Sequence, residues 1–152
     1  MDLQELVHEI AVKARAASEQ IAELSSARKD AWLLRAADRL EAAREEIRAA
    51  NAADVEQARA NAVEPALANR LELSDAKWRD MIAGLRQVAA LPDPVGRVEQ
   101  TSVRPNGLEV GRMRIPLGVI GMIYESRPNV TVDAAALCVK AGNAVILRGG
   151  SE

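Results

Sequence analysis

Phenylalanine is absent from this chain, and other aromatics are scarce: Trp32, Trp78 and Tyr124 are the whole set. A core built on stacked rings is therefore excluded. The apolar residues are mostly Ala, Leu, Val and Ile, and an alanine-rich chain suits close helix packing because Ala has the best helix propensity. A lone cysteine, Cys138, excludes an internal disulfide and fits a reducing compartment. With His8 the only histidine, no zinc site can be composed by ligand spacing. Long hydrophobic runs are also missing: Gly, Asn or a charge interrupts each one before membrane-spanning length. Met1-Asp2-Leu3-Gln4-Glu5 has neither a basic nor an apolar stretch of signal-peptide type. A cytoplasmic protein with no membrane partner is expected. A net charge of −2 is too balanced for bulk nucleic-acid binding.

What is present fits roughly one domain: 152 residues, 49% of them apolar. Acidic residues outnumber basic ones up to Pro94, and the order reverses from Val95 onward. The second stretch is the better place to look for an anionic ligand.

Four helices are expected before Pro92. Leu3, Leu6, Ile10, Ala14, Ala17, Ile21 and Leu24 recur at helical spacing on one face. Ser26 can cap a second helix running to about Ala50, with Trp32, Ala36, Leu40, Ala43 and Ile47 as its stripe. Asn51, with Asp54 three residues on, resembles a cap for a short helix over 52–61. Pro65 restarts the chain, and Ser74 caps a long helix with Trp78, Met81, Ile82, Leu85 and Val88 inside. Leu91-Pro92-Asp93-Pro94 ends it.

The pattern then changes. Val98 to Ile115 reads as a hairpin with Pro105-Asn106-Gly107 at its tip. Its polar arms fit either a ribbon that meets another subunit or a solvated hairpin. Gly118 to Tyr124 reads as a buried strand, Thr131 to Ala141 as a helix stopped by Gly142, and Ala144 to Leu147 as a second buried strand. Strand–helix–strand predicts a parallel pair with a right-handed crossover. Two parallel strands do not make a covered sheet, and Ser151 looks like the cap of a further helix. The expectation is a chain that stops inside an α/β domain. The organisation divides into residues 1–96 (helical), 97–115 (hairpin) and 116–152 (the start of a βαβ unit).

Ligands in open α/β sheets bind beyond the carboxyl ends of the strands. Two loops meet there: Glu125-Ser126-Arg127-Pro128-Asn129 and Arg148-Gly149-Gly150-Ser151. Arg148 can pair with a phosphate, and Gly149 and Gly150 permit close backbone approach. The G-x-G-x-x-G motif is not formed by Gly118 and Gly121. On these residues alone a phosphate-bearing ligand and a plain glycine-rich turn stand equal. Arg127 has an alternative role as a partner of Glu125. Cys138 is excluded as a nucleophile, since it lies within a helix with no basic partner beside it. His8 reads as a solvated residue.

The stretch Ile115-Pro116-Leu117-Gly118-Val119-Ile120-Gly121-Met122-Ile123-Tyr124-Glu125-Ser126-Arg127-Pro128-Asn129-Val130-Thr131 resembles the signature of γ-glutamyl phosphate reductases, and Lys140 to Glu152 continues it. Ala49-Ala50-Asn51-Ala52-Ala53-Asp54 and Leu91-Pro92-Asp93-Pro94-Val95-Gly96 resemble that family in the same order. The wider likeness is to aldehyde dehydrogenases. This resemblance implies an α/β fold: N-terminal helices, an oligomerisation-type hairpin and the first βαβ unit of a Rossmann-type cofactor domain. It implies NADPH-dependent reduction of L-γ-glutamyl 5-phosphate to L-glutamate 5-semialdehyde in proline biosynthesis, by a homo-oligomer. Arg148 then matches a position that contacts the adenosine ribose or its 2′-phosphate, with Gly149, Gly150 and Ser151 beside it. Arg127 and Asn129 border the reaction centre as substrate-side residues. No catalytic residue is assigned within the chain, because the family's cysteine nucleophile matches no position here; the chain alone is expected to be inactive. No metal is implied. The other readings are a non-catalytic nucleotide-binding module and a helical interaction scaffold built on residues 1–91.

Overall fold

A computed structural model describes residues 2–150. Among the described residues, six helices and four strands follow one another: α1 (Leu3–Ala22), α2 (Ser26–Ala42), α3 (Arg44–Ala60), α4 (Pro65–Leu71), α5 (Asp75–Ala90), β1 (Val98–Val103), β2 (Glu109–Met113), β3 (Val119–Ile123), α6 (Pro128–Lys140) and β4 (Ala144–Arg148). The architecture is mixed α/β, with a β1–β2 antiparallel pair and a separate β3–β4 parallel pair.

The core lies where α2, α5 and α6 meet. Leu33 and Ala37 of α2 pack with Trp78, Met81, Ile82 and Leu85 of α5 and with Ala136 of α6. Small residues at Ala37, Ala89 and Ala136 let these helices approach closely, as the alanine content requires. A smaller cluster of Val55, Ala58 and Leu71 joins α3 to α4. Local rules account for most boundaries. The Ser74 hydroxyl accepts from the Lys77 amide to cap α5. Lys77 Nζ in turn donates to the carbonyls of Asn69, Arg70 and Glu72 at the end of α4.

Three helix expectations need correction. The cap of α2 is Ser25, which accepts from the Arg28 amide, and Ser26 is already helical. The long second helix is broken at Ala43 into α2 and α3. Asn51 starts no helix but sits inside α3, buried, where Nδ2 donates to the Leu71 carbonyl at 2.9 Å and Oδ1 accepts from the Leu73 amide at 2.8 Å. The polar side chain thus satisfies the backbone entering α5 instead of its own helix.

The expected stripe of α1 is covered only in its second half. Ala14 is buried and Ala17, Ile21 and Leu24 are half-buried, whereas Leu3, Leu6 and Ile10 are exposed. The reason is length. A helix of 20 residues spans roughly 30 Å, whereas the five-residue strands it packs against span about 17 Å. Its first half has no described surface to cover.

The hairpin forms, with every residue of β1 and β2 exposed. Pro105, Asn106 and Gly107 form its tip, as expected. The Gly107 amide donates to the Arg104 carbonyl, Pro105 follows Arg104, and only Gly107 takes a left-handed φ, of 85°. This is a three-residue loop, with proline preset for the turn and glycine closing it.

Candidate functional site

The β3–α6–β4 unit forms the frame of the site. At its start, the Gly118 amide donates to Asn143 Oδ1 and the Ala144 amide donates to the Gly118 carbonyl, both at 2.9 Å. Gly142 terminates α6 with φ 74°, a conformation that favours glycine. From this clasp the strands run in register, Val119 beside Ala144 and Ile123 beside Arg148. Parallel pairing therefore delivers both carboxyl ends to one edge.

Neither strand is the fully buried one expected. Val119 to Ile123 is half-exposed, and Ile123 is 85% exposed. A parallel pair without a third strand beside it among the described residues leaves its apolar side chains uncovered. The helix between the strands starts at Pro128, three residues before the expected Thr131, because proline at the first helical position sacrifices no hydrogen bond.

At the shared edge, Arg148 is exposed, and its guanidinium donates to the adjacent Gly149 carbonyl. Gly149 has no conformational need to be glycine. A Cβ built there would meet only the ring and hydroxyl of Tyr124, at 4.0 Å, an ordinary contact. The Cβ side of this backbone is thus bounded by Tyr124 at van der Waals distance. Gly150 is exposed, and Ser151 lies outside the described residues. In the facing loop, Ser126 is buried with φ 49°, and Arg127 is exposed at the cap position of α6. Asn129 Nδ2 donates to Asp133 Oδ2 at 3.1 Å, which holds the side chain along the first turn of α6. The structure thus brings Arg127, Asn129, Arg148 and Gly149 to one edge of one sheet. An exposed guanidinium beside a glycine and a helix start is an arrangement that can hold an anionic group.

Two features escaped sequence reading. Tyr124 connects the two loops, as described below. Lys140, Asp30, Lys29 and Asp93 form a largely buried charge cluster behind the unit. Lys140 Nζ reaches Asp30 Oδ1 at 2.5 Å and the Ala89 carbonyl at 2.9 Å, and Lys29 Nζ reaches Asp93 Oδ2 at 2.5 Å. Burial pushes the Asp93 pKa up, but the Lys29 hydrogen bond, the Val95 amide and the charges of Lys29 and Lys140 together hold it below the usual value. No sequence signal marks these pairings, because the partners are far apart along the chain.

Cys138 is buried in α6, and burial raises its pKa, the opposite of what an activated thiolate needs. His8 is exposed. Among the described residues no acidic, cysteine or histidine group could hold a metal, and no helix is long and apolar enough to cross a membrane.

No protein-family model matches the chain. Solved structures do. The γ-glutamyl phosphate reductase of Thermotoga maritima superposes with a TM-score of 0.87 at 43% identity, over 94% of this chain and 34% of that one. The chain resembles part of a γ-glutamyl phosphate reductase. The reductase of Saccharomyces cerevisiae agrees, with a TM-score of 0.90 at 35% identity, over 94% of this chain and 36% of that one. An NAD-dependent benzaldehyde dehydrogenase from Corynebacterium glutamicum follows at 0.65 and 27% identity, covering 91% of this chain and 28% of its own. The reductase-like chain thus spans about a third of the length of the reductases it matches. Its fold is that of an aldehyde-dehydrogenase-like domain over this span.

Proposed function

We propose that this chain is part of a γ-glutamyl phosphate reductase, which reduces L-γ-glutamyl 5-phosphate with NADPH to L-glutamate 5-semialdehyde and phosphate, in cytoplasmic proline biosynthesis. The observation that carries this reading is the match to the Thermotoga maritima reductase over 94% of the chain at 43% identity. NADPH, when bound, supplies the hydride. The residues of this chain bind and orient. Arg148 is placed to engage the adenosine ribose or its 2′-phosphate by charge-assisted hydrogen bonds. Gly149 and Gly150 offer backbone beside it, and Ser151, outside the described residues, completes the proposed set. Arg127 and Asn129, at the end of the neighbouring strand, face the reaction centre and hold the acyl phosphate.

The cysteine nucleophile belongs to a stretch of the reductase outside these residues, so the chain alone is inactive. Residues 1–96 and 116–152 belong to the cofactor domain in this reading. The hairpin of 97–115, exposed along both arms, is the oligomerisation element of a homo-oligomer.

The test is Arg148→Ala in the full-length reductase. Loss of one charge-assisted contact, about 1.5–3 kcal/mol, raises KM for NADPH about tenfold or more and leaves KM for the acyl phosphate less changed. Equal effects on both constants overturn the cofactor role.

A further inference from the structure

The two loops of the site are tied to each other by one side chain. The Tyr124 amide donates to the Arg148 carbonyl at 3.0 Å, the rung beyond the last paired residues of β3 and β4. The ring and hydroxyl of Tyr124 lie 4.0 Å from where a Gly149 Cβ would stand. The same hydroxyl shares a hydrogen bond of 2.5 Å with Thr131 Oγ1 in the first turns of α6. Tyr124 thus holds the end of β4 through its backbone, faces Gly149 with its ring, and meets α6 through its oxygen.

Space-filling alone does not explain this residue. The side chain is only half-buried, and its partner Thr131 is exposed. A chain with no phenylalanine places its single tyrosine where a hydroxyl has a partner.

We propose that Tyr124 is a positioning residue for cofactor binding, its Thr131-anchored ring fixing the Arg148-Gly149 turn relative to the start of α6. The inference rests on the cofactor reading above. The ring limits how far the turn can sink toward the sheet, and the hydroxyl fixes the ring. Without the hydrogen bond the ring can rotate, and the glycine backbone loses its floor. The cost then falls on cofactor binding.

The experiment uses the full-length reductase with Tyr124→Phe, Thr131→Val, Thr131→Ser and, as reference, Arg148→Ala. Tyr124→Phe and Thr131→Val are each expected to raise KM for NADPH roughly threefold or more, the scale of one neutral hydrogen bond. KM for γ-glutamyl phosphate and the thermal midpoint stay at the parent values, and Thr131→Ser, which keeps the hydroxyl, behaves as the parent. If Arg148→Ala raises KM for NADPH while Tyr124→Phe and Thr131→Val do not, the positioning role is overturned and the cofactor reading stands. If Tyr124→Phe lowers the thermal midpoint and raises both KM values alike, Tyr124 is a packing residue and the proposal is overturned. If Arg148→Ala leaves KM for NADPH unchanged, the cofactor reading fails and this inference fails with it.

Discussion

Lys140, the last residue of α6, forms an ion pair with Asp30, in the first turns of α2, across 110 positions of sequence. The ammonium is nearly inaccessible, with 5% of its side chain exposed against 32% for Asp30. Its other partner is the Ala89 carbonyl at the end of α5. One side chain therefore fastens the βαβ unit to both helices of the main core.

Breaking this pair from the aspartate side leaves a buried cation held only by the Ala89 carbonyl and the more distant charge of Asp93. Such losses reach about 3–5 kcal/mol for fully buried pairs. With Asp30 partly solvated, Asp30→Ala is expected to cost about 2 kcal/mol, read as a lower midpoint in urea with the slope unchanged. Asp30→Ala combined with Lys140→Met should recover part of that loss, because no unpaired charge then remains.

Asp93 makes stability depend on acidity. Its folded pKa lies below the unfolded value of 3.8, so the folded state binds its proton less readily than the unfolded chain. The resulting stabilisation is complete above that ordinary value and is lost as pH falls through the folded pKa. Asp93→Asn should flatten the acid limb of the stability profile below about pH 4, measured by denaturant unfolding at a series of pH values. An unchanged acid limb would show that Asp93 and Lys29 do not pair in solution.

Asn51 closes a gap that no backbone partner fills. Asn51→Ala leaves the Leu71 carbonyl and the Leu73 amide without their hydrogen bonds in a buried place. A loss of about 2 kcal/mol is expected. Asn51→Asp should also destabilise, because a carboxylate accepts from Leu73 but cannot donate to Leu71.

Two glycines of one unit should respond differently. Gly142 has φ 74°, and a Cβ there would come within 2.9 Å of Pro116 Cγ and 3.3 Å of Val95 Cγ2. Gly142→Ala should cost more than about 1 kcal/mol. Gly149→Ala meets nothing closer than 4.0 Å and should leave the thermal midpoint near the parent value. Calorimetry of the two variants beside the parent checks both expectations.

Cys138 should be slow to react with thiol reagents in the folded protein and fast once denaturant is added, because burial both shields the sulfur and raises its pKa. Cys138→Ala should leave reductase activity of the full-length protein intact. A loss of turnover with normal stability would assign this thiol a part in the chemistry.

Where a residue's role is decided by its sequence neighbours, the sequence was readable. Ser74 caps the helix that follows it, Gly142 ends α6, and Gly107 closes the hairpin. The meeting of the 125–129 and 148–150 loops was legible too, because strand–helix–strand chains place both carboxyl ends together. Asn51 followed by Asp54 imitated a helix start, yet the amide that needs Asn51 is Leu73, 22 positions on. Lys140 lies in the stretch that resembles the reductase signature, but nothing in that stretch names its partners, Asp30 and Ala89. The apolar spacing of α1 announced a helix correctly but not what would cover Leu3, Leu6, Val7 and Ile10. Tyr124 was noticed only for its rarity; its contacts appear once the strand ends are paired.

The Gly118–Asn143 clasp fixes a starting point, and the distance from it to Arg148 is counted in residues. Inserting one residue between Asn143 and Arg148 would leave two paired strands but deliver the guanidinium to the other side of the sheet. A second insertion would return it to the original side, displaced outward by about 7 Å. The spacing of that short strand is thus under a parity constraint: an odd change in its length turns the cation to the opposite face, and an even one merely moves it.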